Sequence, residues 1–192
     1  MKNLIQITNQ IQSFNKSINV EGDKSLSIRW ALLASQASGK SISYNLLRSE
    51  DVLNTLRCLR ELGTKIYLKN KTCEIIGKGL NKFNYKKKIV LDAGNSGTLG
   101  RLLLGLLVHS KTEVVLKGDK SLSKRDFYRV TNPLQKFGAK FKTTKGKLPV
   151  KIKGTDKPTA VNYIEKRGSA QCKSSVMLAA INTPGKTIIK AK

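Results

Sequence analysis

An octapeptide that the chain uses twice holds its densest set of groups able to grip an anion. The stretch is Gly22-Asp23-Lys24-Ser25-Leu26-Ser27-Ile28-Arg29, and six of its residues return in order as Gly118-Asp119-Lys120-Ser121-Leu122-Ser123. Each copy closes on an arginine, Arg29 and Arg125. The glycine frees the backbone to turn, and the small hydroxyls can cap the helix that follows. Lys24 and Arg29 can then converge on an anion over the positive end of that helix's dipole. A single such octapeptide is more often an ordinary capped helix with a solvated basic first turn. Its recurrence favours a site.

Two more segments put small polar residues where a helix should begin. Gly94-Asn95-Ser96-Gly97-Thr98 lies at a strand-to-helix junction, where two glycines let backbone N–H groups come close to an anionic ligand. Ser169-Ala170-Gln171 opens the last apolar helix pattern. If the units carrying these starts pack with pseudo-symmetry, three helix N-termini meet, and Lys24, Arg29 and Arg125 ring a site for phosphates or carboxylates. Other patterns lead nowhere. Gly39-Lys40-Ser41 looks like the end of a P-loop, but the upstream glycine is replaced by Ala34. Ser121-x-x-Lys124 matches a β-lactamase nucleophile motif without the accompanying Lys-Thr-Gly. Asp23, Asp92 and Asp119 each sit beside or near a glycine in a turn, and their expected work is hydrogen-bonding local backbone.

The elements that must position these residues repeat. Residues 4–20, with Ile5, Ile7, Ile18 and Val20, read as one or two strands. A helix over 25–37 carries Leu26, Trp30, Leu33, Ala34 and Ala37 on one face. A strand at Ile42 and Tyr44 follows. A helix capped by Ser49 comes next, with Val52, Leu56, Leu59 and Leu62 as its stripe and Gly63 as its stop. Lys65–Leu68 and Cys73–Ile76 then pair across a turn at Asn70. The order begins again with a strand at Ile89, a helix over Gly100–Val108, a strand at Glu113–Leu116, and a helix bearing Phe127, Val130, Leu134 and Phe137 with Pro133 inside. Leu59–Ile66 aligns with Leu134–Phe141 at an offset of 75, and Arg29 aligns with Arg101 at an offset of 72. A third copy opens near Ser169 and stops after a strand at Thr187–Ile189. The periodicity predicts βαβαββ units that bury their faces on one another, and a fragment of a longer protein.

Composition bounds the chemistry. The 192 residues are 39% hydrophobic, enough for one good core or two small ones. Residues 1–20 hold no continuous apolar stretch of a secretory signal, and the run Leu102–Val108 is too short to span a bilayer. Cys58, Cys73 and Cys172 are odd in number and widely spaced, and read as buried thiols in a reducing cytosol. One histidine, His109, and no Cys-x-x-Cys argue against a structural metal site. The net charge of +25 favours polyanionic partners. Only 8 of the 37 basic residues are arginine, however, and aromatic content is 6%. Lysine clusters such as Lys86-Lys87-Lys88 lack the interleaved aromatics of a base-stacking platform.

Together the motifs resemble the EPSP synthase family over essentially the whole chain. The matching pieces are Gly22-Asp23-Lys24-Ser25-x-x-x-Arg29, Leu91-Asp92-x-Gly94-Asn95-Ser96-Gly97-Thr98-x-x-Arg101, Gly118-Asp119-x-Ser121-Leu122-x-x-Arg125, Leu148-Pro149 and Ser169-Ala170-Gln171-x-Lys173-Ser174. The sister family that acts on UDP-N-acetylglucosamine usually has Asn after the first lysine and a reactive Cys loop where Arg125 lies. Neither is present. The resemblance implies transfer of the enolpyruvyl group of phosphoenolpyruvate to the 5-hydroxyl of shikimate 3-phosphate, with release of phosphate and no organic cofactor. It assigns Lys24 to catalysis and to both substrates. It gives Ser25, Arg29, Ser169, Ala170 and Gln171 to shikimate 3-phosphate. Asn95, Gly97, Thr98, Arg125 and Gln171 go to phosphoenolpyruvate, in the pocket that glyphosate occupies.

The resemblance also implies an α/β fold of repeated βαβαββ units packed as an inside-out α/β barrel, truncated in the third unit. Residues 1–20 would be a strand segment that pairs with an absent second domain. Residues 21–192 would form the substrate-binding domain, in units of about 21–80, 81–155 and an incomplete 156–192. A cytoplasmic protein, monomeric when full length, is expected, and a chain inactive alone, since the second domain carries the aspartate base. The chain departs from the family at Leu102 and Asp126, where proline is common. The alternative reading is a basic nucleic-acid-binding repeat module, which the charge supports and the motif order does not.

Overall fold

The repeat is built as three α/β units in the computed structural model, which describes residues 6, 8, 12, 13, 15–85 and 88–191. The first unit runs α1 (Lys24–Gln36), β1 (Ser38–Ser43), α2 (Glu50–Glu61), β2 (Lys65–Lys69) and β3 (Thr72–Lys78). Its three strands form an antiparallel sheet in the order β1-β3-β2. Asn70 turns the β2–β3 hairpin at φ 52°, and Gly63 ends α2 at φ 85°, where a side chain would be strained. The second unit is β4 (Ile89–Asp92), α3 (Gly97–Leu106), β5 (Val114–Lys117), α4 (Tyr128–Gln135), β6 (Lys140–Thr144) and β7 (Lys147–Lys153). This is the complete βαβαββ order. β4 and β5 pair in parallel around α3, and the sheet continues antiparallel through β7 to β6. The third unit repeats the opening, with β8 (Asn162–Glu165), α5 (Ala170–Ala180) and β9 (Ile188–Ala191), its strands again parallel.

One core joins the units. Helix α3 is its centre: Leu99, Leu102, Leu103, Leu104 and Leu107 are fully buried beside it and within it. The α2 stripe (Val52, Leu56, Leu59, Leu62) and the α4 set (Phe127, Val130, Leu134, Phe137) are fully buried as expected. Helices α3 and α5 touch at backbone distance, because a Cβ on Gly105 would lie 2.2 Å from the Ser175 carbonyl oxygen. That approach sets the starts of α3 and α5 side by side. Among the described residues no helix is long and apolar enough to cross a membrane.

Several expectations need correction. The buried face of α1 is Ser27, Ile28, Ala31, Leu32, Ala34, Ser35 and Gln36, while Leu26 and Leu33 are 68% and 49% exposed. Hydrophobicity misled there because the polar residues of the true face are satisfied. Ser27 Oγ accepts from the Leu47 N–H, Ser35 Oγ donates to the Leu32 carbonyl, and Gln36 Oε1 accepts from the Asn81 N–H. Helix α3 starts at Gly97, three residues early, because Ser96 Oγ accepts from the Leu99 N–H at 3.2 Å. Ser49 holds the cap position of α2, but among the described residues its buried hydroxyl finds no hydrogen-bond partner. Residues 15–20 form no strand, and Ile18 and Val20 lie open to solvent. Ile5, Ile7, Lys86 and Lys87 lie outside the described residues.

Candidate functional site

Each unit opens its first helix with the same device. Asp23 Oδ1 accepts from the Leu26 N–H at 2.7 Å, Ser96 Oγ from Leu99 and Ser169 Oγ from Cys172, each three residues on. The cap of α1 is therefore Asp23 and not the expected hydroxyl of Ser25. Within the recurring octapeptide Asp119 repeats the bond, accepting from the Leu122 N–H at 2.6 Å. Asp92 Oδ1 accepts from the Gly94 N–H at 2.8 Å. All three turn aspartates thus hold local backbone. The Gly94 N–H bond above all keeps the Asp92 carboxyl below its ordinary value, with Lys117 adding to it.

The starts of α3 and α5 are stitched together by side chains. Gln171 on α5 donates through Nε2 to Thr98 Oγ1 at 2.9 Å, and its Oε1 accepts from Arg101 Nη1 at 2.6 Å. Ser175 Oγ donates to the Arg101 carbonyl at 2.8 Å. The Arg101 guanidinium lies over the Phe127 ring, 5.6 Å from its centroid. Burial first, and the nearby charges of Arg125 and Arg129 after it, lower the Arg101 pKa. Arg125 reaches over from the second octapeptide and donates to Asn95 Oδ1 at 3.3 Å, while Asn95 Nδ2 donates to Asp119 Oδ2 at 2.6 Å. Gly97 lies beneath both arginines: a Cβ there would be 2.8 Å from Arg125 Nη1 and 2.9 Å from Arg101 Nη1. On the α1 side, Arg29 Nη2 donates to Ser174 Oγ of α5 at 3.2 Å.

Asn95, Gly97, Thr98, Arg125 and Gln171 are thus one cluster, and Arg29 joins α1 to α5 at Ser174, in the helix that Ser169 and Ala170 open. Lys24 is not drawn in. Its Nζ pairs with Asp51 Oδ2 of α2 at 3.1 Å, and among the described residues no hydrogen bond or ion pair links it to the others. Ser25 contributes its carbonyl to Arg29 Nη1. Sequence reasoning gave Arg101 no role, although its offset of 72 from Arg29 carried the signal. Nothing local flagged Phe127 or Asp51, whose partners lie on other elements.

Three guanidiniums and the starts of α3 and α5, with no carboxylate in a salt bridge to any of the three arginines among the described residues, suit a small ligand bearing several anionic oxygens. A cleft of about 650 Å³ beside α4 and β8 borders this region through Asp126, Arg129 and Arg167, and one of about 760 Å³ lies near His109.

The chain is 42% identical over 183 residues to the 3-phosphoshikimate 1-carboxyvinyltransferase of Lactococcus lactis subsp. lactis, covering 94% of this chain and 42% of that protein. The protein of the same name from Oenococcus oeni is 41% identical and is covered over 44% of its length. The 2.37 Å structure of EPSP synthase from Acinetobacter baumannii superposes with a TM-score of 0.85 at 38% identity, over 90% of this chain and 39% of that one. The chain thus spans about two fifths of the length of these relatives. Residues 8–192 match the family EPSP synthase (3-phosphoshikimate 1-carboxyvinyltransferase), and the chain belongs to that family.

Proposed function

We propose that this chain is the shikimate 3-phosphate-binding part of a 3-phosphoshikimate 1-carboxyvinyltransferase. The observation that carries the reading is the pair Arg101 and Arg125 poised over Gly97, with no carboxylate in a salt bridge to either among the described residues, beside the Thr98–Gln171 bridge. Phosphoenolpyruvate lies there, contacted by Lys24, Asn95, Gly97, Thr98, Arg125 and Gln171. Shikimate 3-phosphate lies against α1 and α5, held by Lys24, Ser25, Arg29, Ser169, Ala170 and Gln171. Ligand binding draws Lys24 from Asp51, a half-exposed ion pair worth about 1 kcal/mol and so easily exchanged. The 5-hydroxyl oxygen then adds to C2 of phosphoenolpyruvate while a proton goes to the methylene carbon, giving a tetrahedral ketal. Loss of a methyl proton and of phosphate forms the enol ether. The cations stabilise the phosphate charges throughout, and Lys24 is placed to move protons.

In this reading the units form the inside-out α/β barrel of a domain that works with a second domain, as a cytoplasmic monomer. Residues 1–20 pair with that second domain. A second reading has one observation in its favour. Lys140 faces Lys153, and Lys142 faces Lys151, across the β6–β7 pair, giving an exposed cationic sheet face for nucleic acid. Calorimetric titration with shikimate 3-phosphate, beside duplex DNA at two salt concentrations, tests both. Saturable binding of shikimate 3-phosphate that Arg29→Ala weakens is expected. Tight DNA binding that survives 200 mM salt, with none of shikimate 3-phosphate, would replace the first reading by the second.

A further inference from the structure

We propose that Glu165 is a positioning residue, whose buried carboxylate ties down the loop between β8 and α5 and so fixes where Ser169, Ala170 and Gln171 meet α3. Glu165 ends β8, and α5 begins at Ala170. The chain must reverse within that interval, and it does so with Gly168 at φ 67°. A turn this short leaves backbone N–H groups without ladder partners. Glu165 supplies them. Its Oε1 accepts from the Arg167 N–H at 2.8 Å and its Oε2 from the Tyr163 hydroxyl at 2.5 Å, and the Ser169 N–H faces the same carboxylate. The side chain is 3% exposed, and among the described residues no salt bridge reaches it. Burial alone would push its carboxyl up, but the Tyr163 hydroxyl, the two N–H donors and the charge of Arg129 hold it below its ordinary 4.5. It is an anion used as a hydrogen-bond anchor.

The anchor governs the site because the site begins four residues later. Ser169 caps α5, and Gln171 reaches both Thr98 and Arg101 within 3 Å. Those bonds tolerate only small displacement of the α5 start. A carboxylate that merely satisfied Tyr163 would have no reason to gather the N–H groups of residues 167 and 169. The effect on ligand binding rests on the function proposed above; the effect on the loop does not.

The test uses the full chain with Glu165→Ala, Glu165→Gln and Tyr163→Phe. Amide hydrogen exchange by NMR reads the loop, and calorimetry reads shikimate 3-phosphate. In Glu165→Ala the Arg167 and Ser169 amides exchange at least about tenfold faster, beyond any change in β4 and β5, and the ligand binds about tenfold more weakly. Glu165→Gln keeps one acceptor oxygen and can turn its NH2 to the Tyr163 hydroxyl, but it loses the negative charge, so the two amides speed up by less than in Glu165→Ala and affinity falls by about threefold. Tyr163→Phe leaves both amides protected. Unchanged protection at both amides in the Glu165 variants, or equal acceleration at every amide of the chain, overturns the proposal. Should Glu165→Ala not fold, Glu165→Gln decides by the same criterion. A wild-type chain that binds no shikimate 3-phosphate would count against the function, while the two amides still decide the anchor.

Discussion

Replacing Gly97 by alanine tests the geometry of the anion site most directly. Gly97 is the first residue of α3, and its φ is not in the left-handed region, so the backbone there does not require glycine. What the glycine provides is space. A methyl group would lie 2.8 Å from Arg125 Nη1 and 2.9 Å from Arg101 Nη1, against an ordinary contact of about 3.5 Å. Each guanidinium end must retreat by about half an ångström. Arg125 is exposed and gives readily, whereas Arg101 is held between Gln171 and the Phe127 ring and resists. Misplacement by about 1 Å can cost about a hundredfold, so half of that costs about tenfold, or ~1.4 kcal/mol. Stability should move the other way, since alanine at a compatible helical position gains about 0.4–1 kcal/mol through the unfolded chain. In a full-length enzyme containing this chain, the KM for phosphoenolpyruvate rises about tenfold. The inhibition constant of glyphosate, which on the proposed function is the longer occupant of the same pocket, rises by a larger factor. Competitive inhibition assays with thermal melts alongside check this. A melting point lowered by several degrees, with the ratio of inhibition constant to KM unchanged, would refute the steric reasoning.

Arg29→Ala should weaken chiefly shikimate 3-phosphate and Arg125→Ala chiefly phosphoenolpyruvate, each through a charge-assisted contact of about 1.5–3 kcal/mol, the exposed Arg125 at the lower end. Separate KM measurements decide, and equal effects on both substrates would mean that the two anion sites are misassigned. Asp92 and Glu165 bind protons more weakly when folded than their ordinary 3.8 and 4.5. Protonation therefore favours the unfolded chain: their contribution is complete above those values and is lost as pH falls through the lowered ones. Melting points from pH 7 to 3 should show a shallower acid limb in Asp92→Asn than in wild type, and an identical limb would contradict it. Burial pushes the Cys58 thiol up to about 12 and the Cys73 thiol up to about 11, and all three cysteines are at most 1% exposed. Native protein at pH 8 should leave a thiol reagent unreacted over minutes, and denatured protein should titrate three; fast native labelling would show that the core opens there.

The local elements were legible because their signals are local. Gly63 and Gly138 end helices at positive φ, Asn70 turns a hairpin, and the stripes of α2 and α4 repeat every three or four residues. The face of α1 was not legible, because Ser27, Ser35 and Gln36 are buried by hydrogen bonds to Leu47, Leu32 and Asn81, partners that periodicity does not weigh. Lys24 was expected beside Arg29 in the site, yet it turns to Asp51, which enters from α2.

Sequence by itself determined that three similar units exist, that each opens its first helix with a small polar segment, and that Lys24 and Arg29 recur in register as Lys120 and Arg125. It could do so because a short motif and a cap bond spanning three residues are short-range properties of the chain. Only the tertiary structure decided that Arg101 shares Gly97 with Arg125, that Gln171 bridges Thr98 and Arg101, and that Glu165 anchors the loop before α5. The Gln171 contacts join residues 70 and 73 positions apart, and they accompany the close approach of α3 and α5 at Gly105. Packing, a sum over many distant contacts, fixes that approach, and no single stretch of sequence encodes it.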